Sequence, residues 1–371
     1  MAIATLAGLA ALWPRGQALE PPEGTVPGKT VQAEVTAVRA VECPMPGQSG
    51  CRLAEARLGE TGEAVEFAAD SFGVNELVSV GDEVRLTENA MPPGADAQQI
   101  PRYAFTGFER RSALLWLAVG FVAIVLAFGR WRGLRSLAGL ALSLLIVGAF
   151  VVPAVLGGRD PVLVAVVGAM AIMLLTIILA HGTGPKSVAA VLGTTVSLAL
   201  TVTLAAAFTE LAELSGMASD QSVLLAVGQE HVSLRGLVLA GMVIGALGVL
   251  DDVTVSQAST VLALRAADPG QSAKGLYRRA LAVGRDHVAA TVNTLVLAYV
   301  GAALPTVLLF SVAGTSLGEV VNNETVAQEI VATLVGSIGL IAAVPATTAL
   351  AAVLAVRLPS RSLAGARAHV H

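Results

Sequence analysis

The chain has 371 residues, 55% of them hydrophobic and only 13% charged, with a formal net charge of −4. Ordinary soluble domains carry about 25% charged residues, so the composition points to a membrane protein. No basic tract with interleaved aromatics is present, which excludes nucleic acid as a partner class.

Residues 1–13 are mostly apolar, but Ala2–Trp13 is too short to cross a bilayer and no basic residue precedes it. It reads as a truncated signal anchor, with a short disordered tail as the alternative. Residues 14–110 differ in kind: charge rises and apolar and polar residues alternate with period two. Val31, Ala33, Val35 and Ala37 alternate with Gln32, Glu34 and Thr36, and Ala54, Ala56 and Leu58 with Glu55 and Arg57. Val65/Phe67 and Val84/Leu86 continue the pattern, and GETGE (59–63) and VGDE (80–83) mark turns. Four or five short strands in this span predict a small antiparallel, OB-like barrel. Cys43 and Cys51 flank PMPGQSG and are expected to close as a disulfide if the domain lies outside the cytoplasm.

Residues 111–357 form an α-helical polytopic membrane domain by pattern. Seven apolar segments are expected, at 112–129, 136–157, 161–180, 188–209, 236–256, 287–310 and 328–356. Alternate loops sort by charge. One set carries Arg130, Arg132, Arg135, Lys186, Arg265, Lys274, Arg278, Arg279, Arg285 and Arg357; the other carries Glu210, Glu213, Asp220, Glu230, Glu319 and Glu324. The positive-inside rule then puts the 262–286 loop and the tail (358–371) in the cytoplasm and the β domain outside. Arg110 and Arg111 oppose this orientation, but three basic loops outvote them. Within 262–286, Leu276, Tyr277, Ala280 and Leu281 recur at helical spacing beside Arg278 and Arg279, predicting a short amphipathic helix on the inner leaflet.

The most informative segment is GMVIGALGVLDDVTVSQAST, 241–260. The apolar run Gly236–Leu250 has fifteen residues, too few to span about 30 Å at 1.5 Å per residue, so the helix must take Asp251 and Asp252 with it. A carboxylate at depth costs about 2.5–3.5 kcal/mol to insert and is a functional candidate by default. Gly241, Gly245, Gly248 and Asp252 share one helical face, and Gly241/Gly245 make a GxxxG pair. That spacing predicts Asp252 in a helix–helix seam and Asp251 about 100° away and more hydrated. On the next segment His287, Thr291, Thr294, Ala298 and Gly301 form a small and polar face, with Asp286 and Asn293 beside it. Asp251, Asp252, Asp286, His287, Asn293 and Thr291 are therefore the candidates for an ion or proton relay, and Asp252 is ranked first. Pairing of Asp252 with Arg285 or His287 for helix register is the structural alternative. GTGPKS (182–187) fails the spacing of a phosphate loop, and His181 before it reads as interfacial. The tail AHVH has no metal-site geometry, so neither cofactor nor metal is assigned.

GALGVLDDVTVSQAS, the Tyr-Arg-Arg-Ala run and GRDHVAATVNTLVLAYVGAALP resemble the YibE/F-like family of bacterial multi-pass membrane proteins, a likeness that extends through HGTGPK and YAFTGFERR. The resemblance implies a permease-like protein with an extracytoplasmic N-terminal domain, without an established substrate or assigned catalytic residues. More faintly, a Gly-rich helix ending in Asp-Asp before a basic loop is similar to the proton-relay region of RND-type and SecD/SecF transporters, although the segment count differs. The expected function is ion- or proton-coupled transport or a transport accessory role. The expected partners are the lipid bilayer, protons or cations, and an envelope protein for the β domain. A non-catalytic membrane scaffold and an intramembrane carboxylate hydrolase are the alternatives.

Overall fold

The computed structural model describes residues 1–14, 29–41, 51–69, 78–89, 102–228 and 231–357. The chain divides into two compact units, Glu20–Val125 and Met1–Leu19 with Leu126–His371.

Among the described residues the first unit holds five strands: β1 (Thr30–Ala40), β2 (Arg52–Leu58), β3 (Ala64–Ala68), β4 (Glu83–Glu88) and β5 (Tyr103–Phe108). They pair antiparallel in the order β3-β2-β1-β4-β5. The alternation places Ala33, Val35, Ala54, Ala56, Leu58, Val65, Phe67, Val84 and Leu86 in one buried layer, as period two requires. A register shift between Val35 and Ala37 interrupts it, so Ala37 does not follow Val35 into the core. The sheet curls until the rings of Phe67 on β3 and Phe105 on β5 stack at 5.9 Å. No ladder joins β3 to β5 among the described residues, so the observed form is a curled sheet where a closed barrel was expected. Cys43 is not among the described residues, and the expected Cys43–Cys51 bond therefore lies outside them.

The helices are α1 (Ala2–Leu12), α2 (Arg111–Ile146), α3 (Val152–Leu156), α4 (Pro161–His181), α5 (Pro185–Leu211), α6 (Asp220–Gly228), α7 (Leu234–Ala267), α8 (Ala273–Val312), α9 (Leu317–Asn322) and α10 (Glu324–Arg357), with a π turn, Val147–Val151, joining α2 to α3. Their starts are written locally. Asp160 accepts from Leu163 N ahead of Pro161, Ser233 accepts from Gly236 N, and Ser272 accepts from Gly275 N. Among the described residues, six stretches are long and apolar enough to cross a membrane: Arg111–Leu156, α4, α5, α7, α8 and α10. The segments expected at 112–129 and 136–157 fall within the first of these, which is broken at Arg130 (φ 48°, ψ −128°).

α7 is the hub. Half of its apolar window is buried, as is half of that of α10, against 6% for α8. The core joins Met173 and Ile177 of α4, Ala189, Ala190 and Leu198 of α5, Val243, Leu247 and Leu250 of α7, and Leu340 and Val344 of α10. Leu276 and Ala280 are fully buried in this same core. The stretch expected as a separate interfacial helix is thus the first three turns of α8, and its apolar face packs on protein instead of lipid. α1 packs beside α4, with Leu9 and Leu12 in a cluster around Phe150 and Val151 and the ring of Trp13 stacked on Phe150 at 5.9 Å.

Candidate functional site

Three polar residues at i, i+3 and i+6 on α7, Asp251, Thr254 and Gln257, form a column through the bundle interior. Each meets a different neighbour. The Thr176 hydroxyl on α4 lies 3.1 Å from Asp251 Oδ2 and 3.1 Å from its own-helix acceptor, the Met173 carbonyl. Thr254 Oγ1 is 2.6 Å from Thr194 Oγ1 of α5 and also donates to the Asp251 carbonyl at 3.1 Å. Gln257 Nε2 donates to the Ala280 carbonyl of α8 and to Thr348 Oγ1 of α10, both at 2.8 Å. Thr194, Thr254, Gln257 and Thr348 are buried. Such groups are tolerated in an apolar interior because each has a partner. One atom of the column does not: Asp251 Oδ1 is buried and, like several buried hydroxyls elsewhere in the bundle, has no hydrogen-bond partner among the described residues.

The chemistry of the Asp251–Thr176 pair follows from counting protons. A threonine hydroxyl has one hydrogen to donate and two lone pairs to accept. With Asp251 ionised, Thr176 donates to Oδ2. With Asp251 protonated, the acid can donate to Thr176 while Thr176 donates to Met173 O. The contact survives either state, which is what a group that loads and releases a proton requires.

The expected phase of α7 is corrected. Asp252 is exposed and Asp251 is the half-buried carboxylate, so the ranking of the two reverses. Asp251, expected to be the more hydrated of the two, instead meets Thr176. Gly241, Gly245 and Gly248 are exposed, and an added Cβ would meet nothing within 4 Å at Gly241 or Gly248 and only Tyr299 Oη, at 3.5 Å, at Gly245. Gly301 is equally open. The reason is burial: the opposite side of α7 carries Val243, Leu247, Leu250 and Val261, and larger apolar side chains win the interior over a stripe that removes little area from water. On α8, Asp286, His287 and Asn293 are exposed and Thr291 is half-buried, its hydroxyl donating to the His287 carbonyl. No hydrogen bond joins Asp252 to Thr291, His287 or Asn293 among the described residues, so the expected two-helix cluster does not assemble around it. His181 lies apart, its Nδ1 3.3 Å from Lys186 Nζ across the turn between α4 and α5.

Close glycine packing exists elsewhere, at α5 and α10. A Cβ on Gly193 would sit 1.9 Å from Thr347 Oγ1, and one on Gly339 would sit 2.0 Å from Thr201 Oγ1. Thr176, Thr194, Thr254, Gln257 and Thr348 were all missed in the sequence. The signal for three of the column's members was the spacing 251/254/257, a polar face opposite the glycines.

Comparison with curated proteins and with solved structures gives no match. Residues 117–357 match the YibE/F-like protein family and include every helix of the polar column. That span is well over half of the chain, and the chain belongs to the YibE/F-like family of membrane proteins.

Proposed function

We propose that this protein is a permease-like integral membrane protein that couples transport, its own or a partner's, to protons or cations through Asp251. The observation that carries the reading is the Asp251 carboxylate, held between α7 and α4 with one oxygen on Thr176 and the other buried and free. Intramembrane carboxylates facing a bundle interior serve as proton or ion relays. Asp252, one residue on and exposed, supplies a second carboxylate through which the first exchanges with the surface. In this reading Thr254 and Gln257 continue the polar course toward the cytoplasm. Arg111–Gly129 and Trp131–Leu156 are separate crossings, giving seven in an inner membrane with the β domain outside and the C-terminus in. The β domain engages an envelope partner.

Purified protein in proteoliposomes with an entrapped pH dye, given a potassium diffusion potential, tests this. Wild type should admit protons, Asp251→Asn should reduce the flux at least about tenfold, and Thr176→Val should reduce it in part, while Asp252→Asn retains more than Asp251→Asn. Equal flux in Asp251→Asn and wild type overturns the reading. Because the same contact ties α7 to α4, a scaffold is the second reading, supported if Asp251→Asn lowers only yield and melting temperature and wild type carries no flux. The hydrolase reading needs Asp252 and Asp286 to share a proton, and among the described residues no hydrogen bond joins the two.

A further inference from the structure

A second site lies at the other end of α7, where charge distribution puts the outside. The α5–α6 connection, the first turns of α7, α8 and the start of α10 line a half-open pocket of about 360 Å³, within the range of small-ligand sites. Its rim is built, not incidental. Glu324 at the head of α10 accepts from Ser215 N and Gly216 N, both at 2.7 Å, and from the Ser215 hydroxyl. Thr325 Oγ1 donates to Ala218 O at 3.0 Å, and Arg235 Nε to Leu214 O at 3.1 Å. Gly216 has φ +85°, and a Cβ there would meet the Leu234 backbone at 2.6 Å, so only glycine lets the connection close this tightly on α7.

The lining is mixed: Glu329, Tyr299, Gln328 and Ser222 are polar, and Leu237 and Met242 are apolar. Among the described residues, Glu329 is the only charged one in the lining, and none of the described lining residues is cationic. Glu324 is fully committed to the rim, whereas the Glu329 carboxylate has no hydrogen-bond or ion-pair partner among the described residues. A lone half-buried carboxylate attracts positive charge and repels anions. A single carboxylate is too few for a bare divalent ion, which takes six or more oxygen ligands. Gly241, expected in a helix seam, instead lines the cavity. Ten residues along the helix, about 15 Å, separate Gly241 from Asp251.

We propose that this cavity is an outward-facing binding site for small organic cations, an ammonium group on Glu329 with Tyr299 and Gln328 beside it and a short hydrocarbon against Leu237 and Met242. The site deepens the transport reading and rests on it for its purpose, since its ligand would be the transported or sensed species and Asp251 the coupling group further in.

Titration calorimetry on the purified full-length protein with n-butylammonium, butanol and butyrate tests it. Butylammonium should bind, with butanol and butyrate at least about tenfold weaker. Glu329→Gln should weaken butylammonium about tenfold or more. Gly241→Leu, which adds bulk at an open position and favours helix, should block binding without loss of fold. Asp251→Asn should still prefer butylammonium to butanol and butyrate, so a failure of proton coupling would not be mistaken for a failure of this site. Equal binding of the charged and neutral probes, undiminished binding in both Glu329→Gln and Gly241→Leu, or no binding to folded wild type overturns the proposal.

Discussion

Replacing Gly193 by alanine tests which glycines of this bundle are packing devices. A Cβ at Gly193 would lie 1.9 Å from Thr347 Oγ1, 2.8 Å from Thr347 Cβ and 3.1 Å from Thr347 Cα. Rotating Thr347 removes the first contact but not the other two, and Thr347 is fully buried, so it has no open direction to move into. α5 and α10 must separate. Overpacking against backbone lies toward the upper end of about 1–3 kcal/mol, and about 0.5–1 kcal/mol from the better helix propensity of alanine offsets it, leaving a net loss of up to about 2.5 kcal/mol. At Gly241 the added methyl meets nothing within 4 Å, so only the propensity gain of about 0.5–1 kcal/mol remains. At about 2–4 °C per kcal/mol, melting of the purified protein followed by tryptophan fluorescence should show Gly193→Ala several degrees below wild type and Gly241→Ala level or slightly above. The double variant Gly193→Ala/Thr347→Gly should show a coupling of about 1 kcal/mol or more, because Thr347→Gly removes two of the three clashing atoms. Gly241→Ala destabilised with Gly193→Ala neutral would refute the reasoning and return the tight seam to the glycine stripe of α7.

Other expectations are separable from this one. Gln257→Leu removes both donations that hold α7 to α8 and α10 and should lower the melting temperature by the equivalent of about 1–3 kcal/mol, whereas Ser256→Ala on the exposed side should leave it unchanged. At the head of α2, Glu109 accepts from the Arg111 backbone N–H at 2.8 Å and from Gln32 Nε2 at 2.6 Å, which together hold its carboxyl below the usual carboxylate range. A group so lowered adds stability that is present above its unfolded value and lost as pH falls through the lowered one, so Glu109→Gln should flatten the melting profile on the acid side only. A cysteine at Lys274 or Arg361, with Cys43 and Cys51 replaced by serine, should resist impermeant thiol reagents on intact cells; labelling there would overturn the proposed orientation.

Much was legible in the sequence because bilayer and sheet impose simple periods. Long apolar runs separated by charged loops marked the positions of α4, α5, α7, α8 and α10, since a spanning helix must be about 20 apolar residues long. Val65/Phe67 and Val84/Leu86 named the buried face of the sheet, since successive strand residues point to opposite sides. The Asp-Asp pair stood out because carboxylates are rare in such a helix. Which of the two enters the bundle was decided by tertiary structure. Gly241, Gly245, Gly248 and Asp252 make a convincing seam on paper, yet a helix surrounded by three or four others turns the side that buries most area inward, and that side held Leu247, Leu250 and, 100° from Asp252, Asp251. The fate of Leu276 and Ala280 was settled the same way. An amphipathic turn is satisfied equally by lipid or by protein, and only the presence of α7 and α10 chose protein. Thr176, Thr194 and Thr348 could not be joined to Asp251 in advance, because the column they complete runs across four helices and no local spacing encodes which helices are neighbours.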